Sequence, residues 1–240
     1  MTSERKLRIY DGRDPRNVPA YGLMEAARYL GIPVSTLRSW TLGQPYQVRG
    51  MDRFFRPVIE IADLERRLLS FLNLFEAYIC DALRREHHVS LQRVRTAIEI
   101  IRKLYPDSQH PLAEHRFATV GVELFIEEYG QLIGVSQNGQ LAMRDCLQRY
   151  LRRVDRDRFG LVARLYPFTR STRPPEAPRV VVIDPRVLYG RPVIAGTRVP
   201  TAVVYERWKA GESVETLAVD YSRSRDEIEE ALRCEHAQAA

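Results

Sequence analysis

Between Gly190 and Pro200 the chain reads GRPVIAGTRVP, with two glycines, two prolines and two arginines in eleven residues. Punctuation this dense leaves room only for a short strand between tight turns. Val193-Ile194 fits that strand, and Val180 to Asp184 predicts another before it. Pro200 stands where a first-turn helix proline belongs. Ala202, Val203, Tyr205 and Trp208 then lead a helix that Gly211 stops. Ser213 caps a second helix whose buried face is Val214, Leu217 and Ala218. Ser224-Arg-Asp-Glu227 is a capping box that opens a third, with Ile228, Ala231 and Leu232 inward. Residues 180–240 therefore predict a β-hairpin plus a three-helix module. A phosphate loop is excluded, because five residues separate Gly190 from Gly196 and Thr197-Arg198 follows where Lys-Ser/Thr is needed.

The N-terminal region, residues 1–61, carries a second punctuated pattern. Leu23, Ala26, Ala27 and Leu30 recur at helical spacing, and Gly31-Ile-Pro33 breaks the helix. A short helix follows, with Ser35 expected as its N-cap and Leu37 and Trp40 on one face. Two short helices joined by a tight Gly-containing turn predict a helix-turn-helix, with Trp40 in the core. Thr41 to Pro57 reads as a two-stranded wing, Phe54-Phe55 packing and Arg49, Arg53 and Arg56 outward.

Residues 62–168 predict a central scaffold of helices with a small antiparallel sheet. Phe71, Leu74, Phe75, Tyr78, Ala82 and Leu83 mark one amphipathic helix. Leu91, Val94, Ile98, Ile101 and Leu104 mark another, capped by Ser90 and ended by Pro106. Phe117 to Val135 reads as short strands turning at Tyr129-Gly130. A last helix follows Asn138-Gly139, with Leu147, Tyr150, Leu151 and Val154 inward. Residues 169–179, rich in proline and without periodicity, read as a linker. The expected fold class is α+β, mainly helical.

Composition narrows the function. No apolar run approaches the roughly 18 residues of a membrane helix, and the charged N-terminus lacks a signal peptide's apolar centre, so a cytoplasmic protein is expected. Cys80, Cys146 and Cys234 are scattered, which argues against a disulfide framework. His87-His88, His110 and His115 have no Cys pair at zinc-finger spacing, so no metal and no cofactor is expected. No nucleophile–base pair appears, and the chain is not expected to be an enzyme. Residues 1–70 hold 12 Lys/Arg against 8 Asp/Glu, whereas residues 180–240 hold 8 against 10. The basic surplus at the N-terminal end marks where a polyanion would dock.

Residues 183–233 resemble a widespread prokaryotic domain family of formerly unknown function. The likeness rests on Asp184-Pro185, Gly190-x-Pro192, Gly196-Thr197-Arg198, Gly211-Glu-Ser213, Leu217-Ala218, Asp220-Tyr221 and Glu230-Ala231-Leu232. Residues 21–40 resemble the MerR-type winged helix-turn-helix in Glu25-Ala-Ala27, Leu30-Gly-Ile-Pro33 and Leu37-Arg38-x-Trp40. The combination resembles long VapB-type antitoxins. That resemblance implies a PIN-like ribonuclease toxin as partner, and binding of the chain's own operator DNA. Typical members neutralise with an extended C-terminal tail; here the C-terminus reads as a folded module.

In a helix-turn-helix the first residues of the second helix reach the bases, which points to Ser35, Thr36, Arg38 and Ser39. Arg38 suits a guanine edge, and Arg49, Arg53 and Arg56 suit phosphates. A homodimer on paired half-sites is the expected state. The acidic third helix of the C-terminal module, Asp226-Glu227-Ile-Glu229-Glu230, opposes groove insertion, so that module is assigned to protein contact. Arg191 and Arg198 are its candidate toxin contacts, since arginine pairs with carboxylates. The alternative is a stand-alone MerR-like regulator that senses a ligand through its central region.

Overall fold

The structure, a computed structural model, describes residues 12–48, 50–85, 91–114, 117–123, 125–127, 137–170, 172–174 and 176–236. It is mainly helical, and its described sheets are two-stranded and antiparallel. β1 (Tyr21–Gly22) leads into α1 (Leu23–Leu30), which ends at Gly31 with φ 62°. The left-handed turn there is what a Cβ-bearing residue would resist. α2 (Val34–Leu42) follows, capped by Pro33 rather than Ser35. The Pro33 carbonyl accepts from the amides of Thr36 (2.9 Å) and Leu37 (3.1 Å), so the helix starts two residues earlier than a Ser35 cap requires. β2 (Gln44–Val48) and β3 (Met51–Phe55) form the expected wing, paired from Gln44↔Phe55 to Val48↔Met51.

α3 (Phe71–Arg85) is the central strut, with β4 (Leu68–Leu69) before it paired to β1. Its apolar face, Phe71, Leu74, Phe75 and Tyr78, is buried in the larger of two cores. α4 (Leu91–Leu104) and α5 (Gln137–Leu151) pack against it. Ser90 and the turn expected at Tyr129-Gly130 lie outside the described residues. The strands expected from Phe117 are not formed where the chain is described. Residues 117–121 are a π-helix, and 122–123 and 125–127 continue helically. Phe117, Val122, Phe125 and Ile126 all face the core, a helical spacing that overrides the β-branched composition. The central sheet is instead β5 (Val154–Arg156) against β6 (Val162–Leu165), so Val154 lies in a strand and not on the last helix.

The C-terminal module has β7 (Val181–Val182) and β8 (Val193–Ile194) paired as a short ladder. Three helices follow, α6 (Thr201–Lys209), α7 (Val214–Asp220) and α8 (Arg225–His236). Ser213 Oγ accepts from the Thr216 amide at 3.1 Å. The capping box closes both ways, Glu227 N to Ser224 Oγ at 3.2 Å and Ser224 N to Glu227 Oε2 at 2.9 Å. Ile194, Val204, Leu217, Ile228 and Ala231 form a small second core.

The proline-rich segment is held into the protein by two arginines. Arg153 donates to the carbonyls of Tyr166 (2.8 Å), Pro167 (3.1 Å), Ala177 (2.7 Å) and Pro178 (3.0 Å). Arg173, only 6% exposed, ion-pairs with Asp81 of α3 and donates to the Tyr150 hydroxyl of α5. Its other nitrogen reaches the carbonyls of Leu30 (2.7 Å) and Gly31 (3.2 Å) at the end of α1.

The C-terminal module also touches α1 directly. The Tyr21 hydroxyl donates to the Gly190 carbonyl at 3.1 Å. Glu235 accepts from Arg28 of α1 and from Thr201 Oγ1. A Cβ at Gly190 would stand 1.9 Å from the Tyr21 hydroxyl, and φ there is 78°. Gly190→Ala should therefore destabilise the chain by more than the about 1–2 kcal/mol of left-handed strain alone. Adding Tyr21→Phe should recover part of the loss, and urea unfolding of the single and double variants measures it. Equal losses with and without Tyr21→Phe would show that the hydroxyl does not set the need for glycine.

Candidate nucleic-acid interface

Trp40 is buried, as its spacing predicts, and its carbonyl accepts from the amides of Val58 (2.8 Å) and Ile59 (3.0 Å). Leu37 is buried beside it, so the orientation of α2 is fixed by its inner face. That leaves Val34, Ser35 and Arg38 exposed in the first turns. The Arg38 guanidinium has no hydrogen-bond or ion-pair partner among the described residues. A cation held out in this way can reach a base edge or a phosphate.

Two of the residues expected on the DNA face point inward. Thr36 is 9% exposed and its hydroxyl accepts from Arg84 of α3 at 2.6 Å. Ser39 is 5% exposed and donates to Gln44 Oε1 at 3.1 Å, tying α2 to the start of the wing. In a helix this short, the third and sixth positions fall on the side that meets the scaffold. The hydroxyls are used to fasten the helix.

The wing projects. Arg53 and Arg56 are exposed, with side chains that have no partner among the described residues. Arg49 lies outside the described residues. Phe55 stacks on Tyr46 at 3.8 Å between ring centres, while Phe54 is 58% exposed and does not join the core as expected. Residues that sequence reasoning missed brace the wing from α4. Arg95 lies over the Phe55 ring at 4.7 Å and donates to the Arg56 carbonyl at 2.6 Å. Arg102 donates to the Val58 carbonyl at 3.2 Å. Their only signal in sequence is a recurrence of arginine on the polar face of α4.

In the C-terminal module the two candidate arginines differ. Arg191 is 61% exposed along its side chain but ion-pairs with Glu25 of α1. Arg198 is exposed in the turn after β8, without a partner among the described residues. The acidic face of α8 is already paired, Glu229 with Arg225 (3.0 Å) and Arg233 (2.9 Å). Among the described residues no group of His, Cys, Asp and Glu could hold a metal ion, and no helix is long and apolar enough to cross a membrane.

Comparison with known proteins matches both ends of this architecture. The family described as "Putative DNA-binding HTH domain" matches residues 19–98, and "Protein of unknown function (DUF433)" matches residues 181–233. "Putative antitoxin VapB45" of Mycobacterium tuberculosis (strain ATCC 25618 / H37Rv) is 30% identical, over 90% of this chain and 93% of the relative. "Uncharacterized protein Rv2308" of the same organism is 26% identical, over 88% of each chain. The X-ray crystal structure of Rv2018 from Mycobacterium tuberculosis superposes with a TM-score of 0.66 at 27% identity, covering 90% of this chain and 98% of that one.

Thr36→Val should lower stability by about 1–3 kcal/mol, because it strips the Arg84 guanidinium of its acceptor. DNA affinity of the folded protein should stay near wild type, read by urea unfolding alongside a gel-shift titration. A variant that unfolds like wild type but loses DNA would put Thr36 on the nucleic acid instead.

Proposed function

The chain belongs to the family of the VapB45 antitoxin homologue, and from that premise we propose that it is the antitoxin of a type II toxin–antitoxin pair. In this reading it binds and silences a PIN-like ribonuclease and represses its own operon. The observation that carries the DNA half is Arg38, a cation without a partner among the described residues, on the exposed face of a helix whose opposite face is buried. Arg38 and Ser35 read base edges in the major groove, and Arg53 and Arg56 of the wing contact flanking phosphates. A homodimer places two such helices on paired half-sites.

The toxin half rests on the C-terminal module. Read as an antitoxin, the chain acts by binding its partner. Arg198 is the stronger of the two candidate contacts, since its charge is not spent within the fold. Arg191 would have to exchange Glu25 for a carboxylate of the partner.

Two assays on the full chain test this. In a gel-shift titration with DNA from upstream of its own reading frame, Arg38→Ala should weaken binding by about 1–3 kcal/mol. In an RNA-cleavage assay with the PIN-like ribonuclease encoded beside it, the wild-type chain should suppress cleavage and Arg198→Glu should relieve suppression. Arg198→Glu should still bind DNA. Undiminished cleavage in the presence of the wild-type chain would remove the antitoxin reading.

A further inference from the structure

The central region contains a crevice that neither the DNA face nor the C-terminal arginines use. Its walls are the last turns of α5 (Gln148, Leu151, Arg152), β5 (Val154, Asp155, Arg156), Arg164 of β6 and Ala118 of the π-helix. Three arginines face one carboxylate. That carboxylate is already engaged: Asp155 accepts from the Tyr166 hydroxyl at 2.8 Å and from Arg179, and lies 3.6 Å from Arg164. These contacts hold its pKa below the ordinary carboxylate value against the opposing effect of burial. Arg164 is itself paired with Asp184 at 3.0 Å, so the surplus positive charge of the crevice rests on Arg152 and Arg156.

Two of the arginines are incompletely satisfied. Arg156 donates through Nη1 to the carbonyls of Ala113 (2.6 Å) and Gly160 (2.9 Å), but its buried Nη2 has no acceptor. Burial pushes this guanidinium down to about 10. That orphaned donor is closed off from solvent, so the guanidinium acts on an anion in the crevice through its charge. Arg152, at the rim, is exposed and has no ion-pair or hydrogen-bond partner among the described residues. The π-helix at Phe117–Gly121 is a second, independent observation. Such segments are rare, and they concentrate at functional sites.

We propose that this crevice binds a small organic anion, its carboxylate or phosphate group held by Arg152 and Arg156 and a short apolar body set against Leu151 and Val154. Guanidinium–oxyanion hydrogen bonds are charge-assisted and supply the orientation. The apolar wall selects against the bare inorganic ion. The proposal does not depend on the toxin. It concerns a site on the central scaffold, whose sheet continues into the C-terminal module through the Leu165–Ile183 bridge.

The test is isothermal titration of the full chain with phenyl phosphate and, separately, with benzoate, using inorganic phosphate as the reference. At least one of the two aromatic anions should bind saturably with a Kd of about 1 mM or tighter, and more tightly than inorganic phosphate. The better of the two identifies the anionic group. Arg152→Gln should weaken that binding about tenfold or more with an unchanged unfolding midpoint. Because Arg156 also ties two carbonyls, Arg156→Gln risks the fold, so the exposed Arg152 carries the decision. No saturable binding of either aromatic anion, or binding that Arg152→Gln leaves unchanged, would overturn the proposal.

Discussion

The buried pair of Arg173 and Asp81 is the contact on which the rest of this architecture leans. Arg173 enters from the proline-rich segment, Asp81 from the central strut α3, and the Tyr150 hydroxyl from α5 completes the cluster. The Nη2 donors end on the carbonyls of Leu30 and Gly31. Those carbonyls close α1, where the helix dipole favours a cation. A charge pair this deep depends on additional hydrogen bonds, and here the helix-turn-helix turn supplies two of the acceptors. The residue that pins the chain before the C-terminal module therefore also pins the end of the first helix of the helix-turn-helix.

The same joining recurs on the other side of α1. Tyr21, Glu25 and Arg28 each take a partner in the C-terminal module, namely the Gly190 carbonyl, Arg191 and Glu235. Thr169 and Arg170 of the connecting segment bind Glu230 of α8. The helix-turn-helix and the C-terminal module are thus fastened to one another and to the scaffold. What remains free on the surface is informative for that reason. Arg38, Arg53 and Arg56 at one end and Arg198 at the other keep their charge available after the internal pairing is complete.

Much of this was legible in sequence where the determining contacts are local. The Gly31-Ile-Pro33 turn, the Ser213 cap and the Ser224–Glu227 box depend on neighbours within four residues, and each formed as read. Trp40 and Leu37 were legible as core because helical spacing sets a face. Thr36 and Ser39 were not, because the partner that turns Thr36 inward, Arg84, is 48 residues away. The helical path of 117–123 and 125–127 was hidden by β-branched residues, because the core that buries Val122 and Ile126 is built from distant parts of the chain. The proline-rich segment looked like a spacer, yet no local pattern announces that Arg153 gathers two of its carbonyls with two from just before it, or that Arg173 reaches the core.

Native-state hydrogen exchange on the wild-type chain and on Arg173→Met tests this account most directly. If Arg173 joins the parts as described, its loss should lower the protection of amides in α1, α2 and α8 together, by a common free energy of about 3–5 kcal/mol. Protection lost only around residues 172–179, with α1 and α2 exchanging as in the wild type, would contradict it.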